Sequence, residues 1–228
     1  MKTIAEQLAA IHARIAHAEL RFGRAPGSVA LLAVSKAHPA AAIRAACDAG
    51  QLRFGESYAQ EALTKISAIT DLPLEWHFIG PIQSNKTRDV ATHFAWVQSV
   101  ERDKIARRLN EQRPATLPPL NVCIQVNISG EASKSGARLD EVAALAQTIR
   151  GLPHLHLRGL MAIPAPQTEF DQQRAGFRVL RELYEQLRRA GYELDTLSMG
   201  MTDDLEAAIA EGATLVRVGT AIFGERVG

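Results

Sequence analysis

A lysine that directly follows a continuous apolar run is the sharpest candidate for chemistry in this sequence. The run covers residues 29–34, and Ser35-Lys36 comes immediately after it. An ammonium group at the end of a buried strand is partly desolvated, which lowers its pKa from about 10.4 and frees the amine as a nucleophile. Lys36 is therefore predicted to attack a carbonyl carbon. The alternative is a structural lysine whose charged end simply reaches solvent.

Two segments in the C-terminal part of the chain could bind a phosphate group. Each follows a predicted strand, and each combines a hydroxyl side chain with a glycine, which lets the main chain approach an anion closely. The residues concerned are Ser198, Gly200, Gly219 and Thr220. Either segment alone could be an ordinary turn, but the two together favour a phosphate site. Asp203-Asp204 follows the first segment and is predicted to lie on the surface of a helical first turn.

Arg217 lies among apolar residues of the last predicted strand, and the pattern points its side chain inward. A guanidinium does not release its proton, so a buried arginine needs an acceptor. A salt bridge to Glu56 or Asp195 would be a structural solution. A pyridine nitrogen would be a functional one.

Short apolar runs alternate with amphipathic segments about eight times along the chain. A first helix is predicted over residues 3–22, where Thr3-x-x-Glu6 forms a capping box, and Ser57-x-x-Gln60 predicts another. Strands are predicted at residues 29–34, 53–55, 75–79, 94–98, 120–126, 155–163, 194–198 and 214–218. Helices are predicted at residues 39–49, 57–69, 84–92, 101–112, 139–149, 170–189 and 203–210.

This alternation predicts an α/β fold, a closed (β/α)8 TIM-type barrel with an extra N-terminal helix, in one domain over residues 1–228. An open doubly wound sheet is the alternative. In a closed barrel the last strand lies beside the first, and sites occupy the end at which the strands finish. Lys36 would then stand next to the phosphate segments, at a distance that a small phosphorylated aldehyde could span.

Composition excludes several classes of protein. Lys plus Arg number 26 and Asp plus Glu 25, so no basic surface for nucleic acid is expected. No run reaches the roughly 18 apolar residues of a membrane span, and no Cys/His cluster has the spacing of metal ligands. Cys47 and Cys123 are predicted to be buried, inert thiols in a cytoplasmic protein. No exposed apolar stripe stands out, so a monomer is expected.

Eight sequence blocks together resemble the pyridoxal phosphate homeostasis protein family (YggS/PROSC type), and they extend from the first predicted strand to the end of the chain. The blocks are Val34-Ser35-Lys36, Phe54-Gly55-Glu56-Ser57-Tyr58, Trp76-His77-Phe78-Ile79-Gly80-Pro81-Ile82-Gln83-Ser84-Asn85-Lys86, Gln125-Val126-Asn127, Lys134-Ser135-Gly136, Arg158-Gly159-Leu160-Met161-Ala162-Ile163-Pro164, Leu197-Ser198-Met199-Gly200-Met201 and Val216-Arg217-Val218-Gly219-Thr220-Ala221-Ile222-Phe223-Gly224.

The resemblance implies a barrel similar to the N-terminal domain of alanine racemase. It implies pyridoxal 5′-phosphate (PLP) held as an internal aldimine on Lys36 and an arginine, Arg217, facing the pyridine nitrogen. It also implies phosphate contacts at the four residues Ser198, Gly200, Gly219 and Thr220. The implied role is cofactor homeostasis without evident turnover, with apo-enzymes as possible recipients of PLP.

Two positions depart from the family pattern. Ser57 stands where the family usually has Asn, and His38 stands where it often has Lys. Ser57 keeps the ability to cap a helix. His38 weakens any role for a second lysine beside Lys36, so it is left outside the predicted site.

Two other functions remain as alternatives. An amino-acid racemase needs a second acid/base, usually from another domain, and only eight residues follow Thr220. Tyr58 is a candidate for that role. A phosphosugar enzyme would use Lys36 as an electrostatic clamp.

Overall fold

The computed structural model describes residues 2–130 and 135–225, and its eight described strands form a closed parallel barrel in chain order. The strands are β1 (Ala30–Val34), β2 (Arg53–Glu56), β3 (Glu75–Phe78), β4 (Trp96–Val100), β5 (Leu120–Gln125), β6 (Leu155–Met161), β7 (Thr196–Ser198) and β8 (Leu215–Val218). Closure confirms the TIM-type barrel over the open doubly wound sheet. Lys134 of the block Lys134-Ser135-Gly136 lies outside the described residues.

Helices connect successive strands, and one more precedes the barrel as predicted. They are α1 (Ile4–Arg21), α2 (Ala40–Asp48), α3 (Ala59–Ala68), α4 (Thr87–His93), α5 (Asp103–Gln112), α6 (Val142–Arg150), α7 (Phe170–Arg189), α8 (Leu205–Ala210) and α9 (Thr220–Phe223), with a short 3₁₀ turn at Ser84–Lys86. The short helix α9 was not predicted.

The two predicted capping boxes have different outcomes. At α1, the Thr3 hydroxyl accepts from the Glu6 amide, and the Glu6 carboxylate accepts from the Thr3 amide, which confirms the first box. The prediction for Ser57 was wrong, because α3 begins at Ala59 with Tyr58 as its N-cap residue and no side-chain cap.

Apolar side chains pack in two layers, because successive residues of a strand point to opposite faces of the sheet. The larger layer lies between the strands and the surrounding helices. A small cluster of Trp96, Cys123 and Met161 fills part of the barrel interior. Burial raises the pKa of Cys123 to about 12, as expected for an inert thiol, whereas Cys47 is only half-buried.

Candidate functional site

The ends of β1 and β8 meet where the barrel closes. Leu32 is in register with Arg217, and Ala33 with Val218. Gly219 makes the junction close, since a Cβ there would lie 3.1 Å from the carbonyl oxygen of Val34. A side chain at this position would push the two strand ends apart. The absence of one brings the segment after β8 against the segment that carries Lys36.

A cavity of about 480 Å³ opens at this junction, a size typical of small-molecule sites. It brings together four of the six predicted site residues, Lys36, Arg217, Gly219 and Thr220. The other lining residues are Val34, Ser57, Ile79, Ile163, Met201, Thr202, Asp203 and Ala221. A wider depression of about 900 Å³ lies elsewhere, among surface side chains near the end of α7.

Arg217 lines the cavity and is almost fully buried. Its side chain is 3% exposed, and burial lowers its pKa to about 10, so it remains a cation at neutral pH. Nη1 donates to Ser198 Oγ at 2.7 Å, and Nη2 donates to the Ala162 carbonyl at 2.8 Å. Neither structural salt bridge that the sequence allowed is formed. Among the described residues, both of these hydrogen-bond partners of Arg217 are neutral, while the carboxylate of Asp204 acts on it electrostatically and raises its pKa against the effect of burial.

The two carboxylates that could have neutralised Arg217 pair with other cations. Glu56 Oε1 lies 2.8 Å from Lys65 Nζ, and Asp195 Oδ2 lies 2.5 Å from Arg158 Nη2. Arg217 therefore offers its remaining N–H groups to an acceptor in the cavity.

Ser198 and Gly200 do not line the cavity. The Ser198 hydroxyl is fully buried and donates to Gln98 Oε1 at 2.6 Å, so its proton does not point to a phosphate. Gly200 has φ +95°, and a Cβ there would lie 2.6 Å from the Cβ of Ala208. Gly200 thus allows close packing of α8, while the next residue, Met201, reaches the cavity wall.

Asp203 and Asp204 differ in environment. Asp203 is exposed on the cavity rim, as predicted for a surface residue. Asp204 is half-buried instead, and its carboxylate accepts a hydrogen bond from the Met201 amide at 2.6 Å. Burial raises the pKa of Asp204. The pair therefore shapes the segment before α8 as well as facing solvent.

A buried ion cluster supports the segment that carries Lys36. Lys65 of α3 donates to the Ser35 carbonyl and to Glu56 Oε1, each at 2.8 Å, and the Ser35 hydroxyl donates to the same carboxylate oxygen at 2.6 Å. The amide of Ala37 donates to Glu61 at 2.7 Å. These contacts hold Ala37 at φ +62°, in the left-handed region that L-residues rarely adopt.

Sequence reasoning missed two of the residues that organise this site, Lys65 and Gln98. Lys65 occupies the buried face of a helix, four residues after Glu61, and an i, i+4 pair was the only available signal. Gln98 lies on β4, and its partner on β7 is a hundred residues away.

Neither a metal cluster nor a membrane-spanning helix is present in the described parts of the chain, residues 2–130 and 135–225. No group of three or more His, Cys, Asp or Glu side chains there is placed to hold a metal ion. None of the helices formed by these residues combines the length and apolar character needed to cross a membrane.

Comparison with known proteins agrees with the resemblance seen in the sequence. The family model described as alanine racemase, N-terminal domain, matches residues 7–227. A protein of Pseudomonas aeruginosa named pyridoxal phosphate homeostasis protein is 62% identical over 226 residues, which cover 99% of this chain and 97% of the relative. The chain belongs to the pyridoxal phosphate homeostasis protein family.

Solved structures extend the likeness of this family member to three dimensions. PipY of Synechococcus elongatus, in a structure with PLP bound, is 40% identical with a TM-score of 0.84, covering 97% of this chain and all of PipY. Alanine racemase of Corynebacterium glutamicum is 16% identical with a TM-score of 0.72, covering 97% of this chain and 62% of the racemase. The second likeness concerns the fold alone, which agrees with the predicted similarity to the alanine racemase N-terminal domain.

Proposed function

We propose that this protein holds PLP covalently and reversibly on Lys36 and serves PLP homeostasis, without turning over a substrate of its own. The single observation that carries the proposal is the shared cavity, in which Lys36 meets a buried arginine and the glycine-bearing segment after β8. PLP supplies an aldehyde that exchanges between amines, and Lys36 Nζ is the amine that would attach to its carbon with loss of one water.

The cavity residues divide between the two ends of such a ligand. Arg217 is proposed to face the pyridine nitrogen, which can accept one of its N–H groups. Gly219 and Thr220 are proposed to bind the phosphate, because α9 starts there and helix N-termini favour anions. Ser198 and Gly200 are proposed to act without lining the cavity. Ser198 accepts a hydrogen bond from Arg217, and Gly200 allows α8 to pack closely.

The presence of Arg217 also favours a role in binding PLP over a role in PLP-dependent catalysis. A guanidinium beside the ring nitrogen keeps that nitrogen unprotonated, which makes the pyridine ring a poorer electron sink. Racemisation would further require an acid/base opposite Lys36. The cavity lining within the described residues contains no histidine or tyrosine, and its carboxylate is that of Asp203 on the rim.

Exposed apolar side chains at the rim of the cavity support the proposal that PLP is delivered to apo-enzymes. Tyr58, Ile163 and Met201 are among the exposed large apolar side chains, and Ile163 and Met201 line the cavity mouth. Apolar side chains around a ligand site offer a partner protein a surface to cover. We propose that a monomer, with residues 1–228 as one PLP-binding domain, presents this rim in the cytoplasm.

The first experiment asks whether Lys36 carries PLP. Purified wild-type protein incubated with PLP should turn yellow, and borohydride reduction followed by peptide mass spectrometry should place the added mass on Lys36. Lys36→Ala and Lys36→Arg should stay colourless with unchanged circular dichroism, while the exposed-lysine control Lys104→Ala behaves like wild type. A colourless wild-type protein, or label on another lysine, would contradict the proposal.

Two assays then separate holding from turnover and delivery. Racemisation of L-alanine by the loaded protein should stay at the level of free PLP. Transfer to an apo-aminotransferase should proceed faster than PLP release into buffer. Racemisation well above the free-PLP level would instead support the racemase alternative, and transfer limited by release would argue against direct delivery.

A further inference from the structure

A row of polar side chains crosses the interior of the barrel, where TIM-type barrels usually place branched apolar residues. It runs from Glu75 at the start of β3, through His77, Gln98 and Ser198, to Arg217 on β8. The four successive distances are 3.0, 2.9, 2.6 and 2.7 Å. His77, Gln98, Ser198 and Arg217 are each 3% exposed or less. The row therefore connects the two mouths of the barrel through a region closed to solvent.

The carboxylate at one end fixes the direction of every hydrogen bond in the row. The hydrogen bond with His77 lowers the pKa of Glu75 to about 2, so Glu75 is ionised and only accepts. His77 Nε2 must then carry the proton. Burial lowers the pKa of His77, which keeps the ring neutral and leaves Nδ1 as an acceptor.

The remaining orientations follow from that tautomer. An acceptor at His77 Nδ1 requires the amide nitrogen of Gln98 to face it, which turns the Gln98 carbonyl oxygen to Ser198. The Ser198 hydroxyl donates to this oxygen and presents its lone pairs to Arg217. Each group thus donates toward Glu75, in a single direction from the guanidinium to the carboxylate.

Such a chain holds a cation without neutralising it. A carboxylate in direct contact would compete with a ligand for the guanidinium, whereas a serine oxygen occupies one N–H and leaves the charge in place. His77 also stacks on Trp96, with ring centroids 5.1 Å apart, so the ring is fixed by packing as well as by hydrogen bonds.

We propose that Glu75, His77, Gln98 and Ser198 are positioning residues that orient Arg217 for the ring nitrogen of PLP through this one-directional hydrogen-bond chain. The inference rests on the proposed function, because it assigns to Arg217 a role toward PLP. It adds that the orientation is set from the opposite mouth of the barrel, by residues that do not line the PLP cavity.

The first test needs no PLP. Nitrogen-15 NMR of the apo protein, with the His77 signal identified by its loss in His77→Gln, should show one neutral tautomer protonated at Nε2. An Nδ1-protonated ring, or a charged imidazolium at neutral pH, would overturn the assigned direction. This result stands even if the wild-type protein fails to take up PLP, which would refute the proposed function instead.

The second test interrupts the hydrogen-bond chain at two points by substitution and compares these variants with a matched control. Gln98→Met removes both hydrogen bonds at the centre at similar side-chain length, and Glu75→Gln removes the terminal charge. Asp195→Asn is the control, because it makes the same carboxylate-to-amide change at the same mouth of the barrel as Glu75→Gln. Asp195 pairs with Arg158 and is not part of the hydrogen-bond chain. All variants are loaded with PLP and reduced to confirm that Lys36 remains the attachment point.

The expected outcome is a loss of PLP affinity of about tenfold in Gln98→Met and Glu75→Gln, because a hydrogen bond to a charged group is weakened. The absorption maximum of bound PLP should shift in both, since the contact at the ring nitrogen changes, and Asp195→Asn should match wild type in both readouts. Wild-type spectra and affinity in Glu75→Gln, or an equal effect in Asp195→Asn, would overturn the proposal. Glu75→Gln decides the case if Gln98→Met does not fold, because its mutated residue is the partly exposed end of the chain.

Discussion

Lys65 supports the segment that carries Lys36 from the interior of the fold. Its ammonium contacts the Ser35 carbonyl and the fully buried carboxylate of Glu56. Burial raises the pKa of Glu56, while the hydrogen bonds from Lys65 and Ser35 act in the opposite direction. Lys65 is thus the cation that makes an interior carboxylate tolerable directly behind the proposed attachment point.

The first prediction is that Lys65→Met lowers the free energy of unfolding by about 3–5 kcal/mol, because it leaves a buried carboxylate without its cation. Urea unfolding at pH 7 measures the change. The double variant Lys65→Met/Glu56→Gln should recover much of it, since the uncompensated charge is gone. Lys104→Met on the surface should stay within about 0.5 kcal/mol. A loss below about 1 kcal/mol in Lys65→Met would contradict the assigned role.

The second prediction concerns pH and Glu75. Its folded pKa, about 2, lies below its ordinary value of 4.5, chiefly because of the hydrogen bond with His77. A carboxyl group with a lowered folded pKa contributes stability that is fully present above its unfolded pKa and is lost as the pH falls through the folded value. The difference in unfolding free energy between wild type and Glu75→Gln should therefore be constant above pH 5 and shrink from about 4.5 toward 2.

Parallel urea titrations of the two proteins at successive pH values test this. Glu75 is partly exposed, so added salt should reduce the difference and raise the lower end of the window, because a weaker interaction moves the folded pKa back toward 4.5. A difference that is the same at pH 3 and at pH 6 would show that the carboxylate is not stabilised in the folded protein.

At the scale of elements, α7 and α8 are joined through one buried carboxylate. Glu211, at the end of α8, is fully buried. Its carboxylate forms ion pairs with three arginines, at 2.8 Å from Arg174 Nε, 3.3 Å from Arg178 Nη2 and 2.8 Å from Arg181 Nη1. These arginines recur at positions that share one face of α7. They fix α8, and with it the segment from Met201 onward that forms one wall of the cavity.

The third prediction is that Glu211→Gln costs about 1–3 kcal/mol of stability, because the amide cannot accept from three cations. The loss stays below that of a fully buried pair, since the three arginine side chains are 32–47% exposed and can be rehydrated. Glu185→Gln is the control, because Glu185 is half-exposed and lies 3.8 Å from Arg181. Thermal and urea unfolding of both variants should separate them, and equal effects would argue against the cluster.

Periodicity in the sequence located the strands and helices but not every end. The predicted strand over residues 94–98 lies instead at Trp96–Val100, and the helix predicted from residue 139 begins at Val142. The capping box predicted at Ser57 is absent, and Ser57 instead lies at a close contact with another segment. A Cβ at Gly80 would lie 2.0 Å from the Ser57 carbonyl oxygen, so the two segments approach closely. Local spacing in the sequence does not record such contacts between segments.

The geometry of the candidate site was predictable where chain order determines which strands are neighbours. Closure places β1 beside β8, and this alone brings Lys36 to Arg217 and Gly219. The contacts of Ser198 with Gln98 and Arg217 were not predictable, because they depend on which residues of different strands share a level inside the barrel. That level follows from the tilt and stagger of all eight strands together.

At the scale of the whole molecule, the proposed ligand would join the first and last strands of the barrel. Lys36 follows β1, whereas Gly219 and Thr220 follow β8, and these two strands pair although they lie near opposite ends of the sequence. A ligand attached at one and bound at the other would link segments about 180 residues apart. Bringing together segments this far apart in sequence costs conformational entropy. A ligand that bridges them should therefore stabilise the entire barrel.

The fourth prediction is that PLP stabilises the barrel, with the largest effect where β1 pairs with β8. Reversible PLP at a hundred times its dissociation constant should add about 2.7 kcal/mol to the unfolding free energy. In the borohydride-reduced adduct, amide hydrogen exchange should slow more in β1 and β8 than in β4 and β5, which pair away from the site. Exchange mass spectrometry on peptides from these strands measures the contrast, with reduced Lys36→Ala as the control without a covalent link. Uniform slowing, or none in β8, would mean that the bound cofactor does not bridge the two strands, and the phosphate would then have to be placed elsewhere.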